Sequence, residues 1–219
     1  MTPRARRAVF LDRDGTINAE TPGFLTRVAQ LRLLPGSAAA IAALNRAGFH
    51  VVVLTNQSAL ARGLLTERGL ERIHATLIER LRKHHAHVDA LFFCPHHPDG
   101  KVARYAKACD CRKPAQGLLE RATRVLDLSL EGSYVIGDDA RDVALAQGNA
   151  LTPILVRTGK GKEKEAQARA LLGDRLAVAD DLSAAVAAIL RPGAARSGSP
   201  AARVPRATPA SKRPRGPAR

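Results

Sequence analysis

The stretch Val9-Phe10-Leu11-Asp12-Arg13-Asp14-Gly15-Thr16 constrains everything after it, because a short apolar run ends abruptly in two carboxylates. An apolar run bounded by charge and glycine is the pattern of a buried β-strand. Side chains two apart on a strand point the same way, so Asp12 and Asp14 can face one site beyond its end, and Gly15 lets the backbone turn sharply. In an open α/β sheet, ligands bind in the crevice outside the carboxyl ends of the strands. Asp at a strand end can equally do no more than cap a turn. Other segments must decide between these readings.

They do. The apolar run Phe49–Leu54 stops at Thr55-Asn56-Gln57-Ser58, and Ser133–Gly137 stops at Asp138-Asp139. Val88–Phe93 and Pro153–Val156 read as two further strands. Helical patterns lie between them. Ser37 can cap a helix that ends before Gly48, and Thr66 can cap a second with Leu70, Ile73, Leu77 and Leu81 on one face. His84, His85 and His87 follow that helix, where positive charge meets the negative dipole end, so a solvated helix end is preferred to a metal site. Lys113-Pro114 opens a third helix, with Leu118, Leu119, Ala122 and Leu126 on one stripe. A short helix over Arg141–Gly148 and helical stretches at about Glu163–Leu172 and Asp181–Leu190 complete the pattern. Strands alternating with helices give an α/β fold: three α/β/α layers around a mainly parallel, Rossmann-like sheet. The irregular segment Ile17–Leu34 is too short for an inserted cap domain.

The chain has 219 residues, 45% apolar but only 3% aromatic, so Ala, Leu and Val must build the core. One domain is expected over residues 1–190. Arg191, Arg196, Arg203, Arg206, Lys212, Arg213, Arg215 and Arg219 supply about half of the net charge of +15 with no acid among them. Their Pro, Ala, Gly and Ser surroundings cannot bury a core, so residues 191–219 read as a disordered basic tail. Nucleic acid could be met only through that tail, and no base-stacking aromatic set accompanies it. No apolar run approaches the ~18 residues of a membrane span, and only Ala8–Leu11 follows the N-terminal arginines, too short for a signal peptide's apolar region. A cytoplasmic monomer is the expectation.

Carboxylates from several strand ends repel one another without a cation, and hard oxygen ligands suit magnesium. The Thr55 hydroxyl, backbone N–H groups and the Lys113 ammonium suit a phosphate. The chemistry implied is phosphoryl transfer. A second cluster, Cys94-x-His96 and Cys109-x-Cys111, uses all three cysteines. Three thiolates and an imidazole make a closed, structural zinc site, which would staple the loop 94–112. His97 competes with His96, but the matched one-residue spacing favours His96. Free thiols are the bland alternative, and a disulfide is disfavoured in a cytosolic chain.

Phe10–Thr16, Thr55-Asn56-Gln57, Lys113-Pro114 and Gly137–Asp142 resemble, in order, the four motifs of the haloacid dehalogenase superfamily of phosphatases. The resemblance implies that Asp12 is a nucleophile forming an aspartyl phosphate, and that Asp14 is the general acid and base. It also implies that Thr55 and Lys113 hold phosphoryl oxygens. Magnesium would sit on Asp12, the backbone carbonyl of Asp14, and Asp138, with Asp139 or Asp142 in support. The zinc cluster with Arg112 is similar to the zinc-containing, capless branch, which includes heptose-bisphosphate phosphatases and histidinol phosphatases. Asn18, the doubled histidine, Asn56-Gln57-Ser58 and the stretch Val156–Gly161 resemble the heptose-bisphosphate members more. The long spacing between the zinc pairs opposes the histidinol alternative. Substrate contacts are thereby implied at Arg13, Asn56, Gln57, Ser58 and Arg112, the last on a second phosphate of a small sugar bisphosphate. One departure stands out: Asp139 occupies a position where some members carry a basic residue. Gly159-x-Gly161 alone is a weak phosphate cue and reads rather as a mobile turn. A zinc-stapled nucleic-acid-binding module using the basic tail is the reading from another class; it leaves Asp12, Asp14 and Asp138 unexplained, and a DNA-end phosphatase would combine both ideas.

Overall fold

The computed structural model describes residues Arg6–Arg191, so the tail expected beyond Arg191 lies outside the described residues. Six strands, β1 (Arg7–Leu11), β2 (His50–Asn56), β3 (Ala90–Cys94), β4 (Ser129–Gly137), β5 (Thr152–Val156) and β6 (Ala177–Ala179), form one sheet in the order β3-β2-β1-β4-β5-β6. Every pairing is parallel. The helices are α1 (Ser37–Arg46), α2 (Glu67–Arg82), α3 (Gly117–Leu126), α4 (Ala140–Val143), α5 (Gly161–Leu172) and α6 (Leu182–Leu190).

The two-residue period of the strands sorts the core into two layers. Val9, Leu11, Val51 and Val53 pack with Ile41 and Leu44 of α1, Ile73 and Leu77 of α2, and Val186 of α6. Ala8, Phe10, Val52 and Leu54 face the other way, onto Leu118 and Leu119 of α3, Val143 of α4 and Ala168 of α5. A parallel sheet covered on both faces needs apolar residues at consecutive positions, which is why these strands read as unbroken runs. Burying each large aliphatic side chain contributes roughly 1.5–3 kcal/mol.

Several boundaries differ from expectation. Gly36, in left-handed backbone, occupies the cap position of α1, and the Ser37 hydroxyl is buried without a partner. Thr66 does cap α2, accepting from the Gly69 N–H at 3.1 Å. Helix α3 begins at Gly117 rather than at Lys113, since the residue before a proline is biased out of the helical region. The short fourth helix spans only Ala140–Val143 before tightening into a 3-10 turn at Ala144–Ala146. Strand β4 starts four residues early, at Ser129, with a register shift against β1 between Arg7 and Val9. Strand β6 was not expected, because three residues are too short to show a period.

The topology places the site. From β1 the chain builds outward through β2 to β3, then crosses back to the other side of β1 to lay down β4. That reversal makes the carboxyl end of β1, between β2 and β4, the switch point where a crevice must open. Asp12 follows β1 there, its N–H bonded to the Ile136 carbonyl of β4 at 2.9 Å.

Candidate active site

Thr55 and Asn56 end β2, Asp12 and Asp14 follow β1, and Asp138 follows β4; all line one cleft with Lys113. Lys113 is buried, and its ammonium donates to Asp12 Oδ1 at 2.6 Å and to the Leu54 carbonyl at 2.6 Å, and pairs with Asp142 Oδ1 at 2.7 Å. Burial works against its charge, but the two carboxylates raise its pKa. Burial also pushes the Asp12 carboxyl up to about 7 against the pull of Lys113. At Asp138 burial, joined by the charge of Asp12, pushes the carboxyl up to about 8. Oxygens of Asp12, Asp138 and Asp142 lie within 4.8 Å of one another. Crowded, buried carboxylates with oxygen-only donors fit a hard divalent cation.

Asp14 is held differently. Burial would raise its pKa, but the Arg13 guanidinium and donors from Asn18 and Gln57 hold it below the usual carboxylate range. Arg13 donates to both Asp14 oxygens, at 2.9 and 2.7 Å from one nitrogen, and Gln57 Nε2 reaches Oδ2 at 3.0 Å. One expectation needs correction here. Arg13, expected to touch substrate, is fully buried, with its remaining nitrogen on His74 at 3.0 Å. Gln57 is largely buried but lines the cleft, and its amide bridges Asp14, Thr55 and Arg13. Asn56 lines the cleft, and its side-chain amide clasps the backbone of Lys113, at 3.1 Å to the N–H and 3.2 Å to the carbonyl. Ser58 and Arg112 line the cleft as well. The Thr55 hydroxyl accepts from Gln57 at 2.8 Å, which leaves its own proton for a ligand.

Asp139, expected in support of a metal, is not among the carboxylates that converge. It caps α4, and both its oxygens are taken by Arg141: Oδ1 by the backbone N–H at 3.0 Å and Nε at 3.1 Å, Oδ2 by the far nitrogen at 2.6 Å. Asp142 holds the Asp139 N–H at 3.0 Å as well as Lys113.

The loop after β5 closes the site, which sequence reasoning had set aside as a mobile turn. A Cβ on Gly15 or on Gly159, both at positive φ, would lie 2.1 Å from Asp138 Oδ2, so neither position tolerates a side chain. Thr158 Oγ1 donates to the Gly15 carbonyl at 2.6 Å, and the Lys160 N–H donates to Asp138 Oδ2 at 2.8 Å. Lys160 also pairs with Glu20 across the mouth at 2.5 Å.

The second cluster lies beside the first. Cys94 ends β3 opposite Asn56, and its carbonyl accepts the Gln57 N–H at 2.7 Å. Cys94 Sγ stands 3.6 Å from Cys109 Sγ, 3.2 Å from Cys111 Sγ and 3.8 Å from His96 Nδ1. Sγ of Cys111 is 3.5 Å from that of Cys109 and 3.4 Å from His96 Nδ1. A tetrahedron with metal–sulfur bonds of about 2.3 Å has edges of about 3.8 Å, so the donor set fits zinc and no pair is bonded as a disulfide. His97 points elsewhere, toward Arg62 at 3.3 Å. Arg112 and Lys113 follow Cys111 directly, so whatever fixes the cluster also fixes two cleft cations.

A HAD-hydrolase-like family model matches residues 110–185. The D-glycero-beta-D-manno-heptose-1,7-bisphosphate 7-phosphatase of Yersinia pestis is 38% identical over 164 residues, 74% of this chain and 87% of that protein. The enzyme of the same name from Escherichia coli K12 is 39% identical over 161 residues, 73% and 84% of the two chains. Among solved structures, the D,D-heptose 1,7-bisphosphate phosphatase of B. bronchiseptica, complexed with magnesium and phosphate, superposes with a TM-score of 0.76 at 38% identity. It covers 84% of this chain and 98% of its own. The Burkholderia thailandensis enzyme gives 0.65 at 30% identity, over 85% and 100%.

Proposed function

The chain belongs to the D-glycero-beta-D-manno-heptose-1,7-bisphosphate 7-phosphatase family of HAD-like, magnesium-using phosphoric monoester hydrolases, and from that premise we propose how this cleft removes the 7-phosphate of a heptose 1,7-bisphosphate. The observation that carries the reading is Lys113 held between Asp12 and Asp142, with Asp138 and the Thr55 hydroxyl on the same edge.

Lys113 occupies Oδ1 of Asp12 and leaves the other oxygen as the nucleophile. That oxygen attacks phosphorus, the bond to the sugar oxygen breaks, and the phosphoryl group passes to Asp12 as an acyl phosphate. Asp14 protonates the departing sugar oxygen, then takes a proton from the water that attacks the acyl phosphate and frees inorganic phosphate. The clamp of Arg13, Asn18 and Gln57 aims Asp14 and favours its charged form; an arriving phosphate raises its proton affinity, which is what the acid role needs. Lys113 and Thr55 donate to the phosphoryl oxygens as charge shifts. Magnesium held by Asp12, Asp138 and the main-chain carbonyl of Asp14 would screen the carboxylates from the phosphate. Zinc on Cys94, His96, Cys109 and Cys111 would be structural. The enzyme we propose is a cytoplasmic monomer; no described helix is long and apolar enough to cross a membrane.

Phosphate release from both anomers of heptose 1,7-bisphosphate, from histidinol phosphate and from a 3′-phosphorylated oligonucleotide tests the reading. The expected result is a kcat/KM preference for one heptose anomer, lost with EDTA and lost in Asp12→Asn with the fold retained. Preference for histidinol phosphate or the oligonucleotide would overturn the substrate, and turnover retained by Asp12→Asn would overturn the nucleophile.

A further inference from the structure

Asp139, directly after Asp138, has both carboxylate oxygens engaged by Arg141. The cation stands two residues on. Arg141 lines the cleft with its side chain 43% exposed, while the Asp139 carboxylate beneath it is 8% exposed. Asp139 grips the guanidinium through Nε and one terminal nitrogen, at 3.1 and 2.6 Å, in the two-pronged geometry that fixes an arginine's plane. The other terminal nitrogen has no hydrogen-bond partner among the described residues. Arg112, from the zinc loop, lines the same cleft, and is near enough for the two positive charges to repel. Two guanidinium groups converging on a cleft edge, one of them braced by a buried carboxylate, are an unfinished ion-pair network that a dianion would complete.

We infer that Arg141, aimed by Asp139, is a specificity-determining residue that binds the second phosphate of the substrate together with Arg112. This rests on the bisphosphatase reading above. Asp139 is thus a positioning residue: it takes no part in binding and fixes the plane of the Arg141 guanidinium. The cluster serves the phosphate that stays on the sugar, so its loss acts on selectivity between bisphosphate and monophosphate.

The test is kcat/KM for heptose 1,7-bisphosphate relative to heptose 7-phosphate, in the full chain and in Arg141→Ala, Arg141→Lys, Asp139→Asn and the double variant Asp139→Asn/Arg141→Ala. A lost charged hydrogen-bonding pair corresponds to a fall of about 10–100-fold in that ratio for Arg141→Ala, carried by KM rather than kcat. Arg141→Lys restores part of it. Asp139→Asn, which keeps a capping side chain, lowers the ratio less, and the double variant loses no more than Arg141→Ala alone. An equal fall on both substrates would mean a merely structural residue and overturn the inference, as would an unchanged ratio. Additive losses in the double variant would overturn the positioning role of Asp139. A parent chain inactive on the bisphosphate would overturn the underlying reading itself, a failure visible before any variant is made.

Discussion

Arginine can only donate, so its 3.0 Å contact with His74 Nε2 requires that imidazole nitrogen to be an unprotonated acceptor. Burial, and then the Arg13 charge, push the His74 pKa down to about 3. The neutral ring completes the shell around Arg13, which in turn holds Asp14, so a residue far from the substrate helps to aim the acid and base. The sign of the linkage follows. Below about pH 6.5 the unfolded chain takes up a proton that the folded chain refuses, so stability is lost as pH falls from 6.5 toward 3, by up to about 1.4 kcal/mol per pH unit. His74→Gln keeps an acceptor but has no such proton to refuse. Its stability relative to the parent should therefore improve by about 2 kcal/mol between about pH 7.5 and pH 5, measured by denaturant unfolding. Parallel pH dependences in the two proteins would refute the neutral buried ring. His74 could not be singled out from sequence, where it is one more polar residue in an amphipathic helix. For a related reason the burial of Arg13 could not be foreseen. Adjacency to a reactive aspartate or threonine is visible in a sequence, but whether a polar side chain faces the cleft or the packing behind it is decided by burial.

The strands that carry the site were legible because a two-sided parallel sheet demands unbroken apolar runs, and polar residues therefore announce the strand ends. Helix α3 was legible in its stripe but not in its start, and α4 not in its length, since both boundaries are set by contacts with the cleft rather than by periodicity. The loop 94–112 is the element with least period and most consequence. Its described contacts with the rest of the fold include Tyr105 buried against Glu67, His97 on Arg62 at 3.3 Å, and Ala61 accepting from Lys101 and Val102 at 2.7 and 2.9 Å, beside the cysteine cluster. Binding energy for a structural metal is folding energy in such a segment. Cys109→Ala should thus lose one equivalent of zinc by elemental analysis, lower the thermal midpoint, and open the loop to proteolysis. Because Arg112 and Lys113 follow the cluster, kcat/KM should fall by about 10-fold or more in the same variant, a loss of the size expected when supporting ligand-shell contacts go. Unchanged metal content with unchanged stability would refute the staple.

At the scale of the whole molecule the question is what the net charge of +15 is for. An anionic substrate gains from a positive field, but at about 0.15 M ionic strength exposed charges act over only about 8 Å. The local cations Arg112, Arg141, Lys113 and Lys160 therefore dominate at the cleft. The eight basic residues from Arg191 onward follow α6, whose Leu182, Val186 and Ile189 face the core with α1 and contribute nothing to the cleft lining. A chain ending at Arg191 should keep kcat/KM on the bisphosphate within about threefold at that salt, because steering by distant charge is screened. The same truncation should abolish weak association with a duplex oligonucleotide, an association that in the full chain falls steeply as salt rises. Assays of phosphate release and of oligonucleotide binding on the two chains, across a salt series, separate the roles. A tenfold loss of kcat/KM on truncation would put the tail in the substrate's path. Salt-insensitive oligonucleotide binding that survives truncation would instead move nucleic-acid contact onto the folded domain and reopen the oligonucleotide as a substrate.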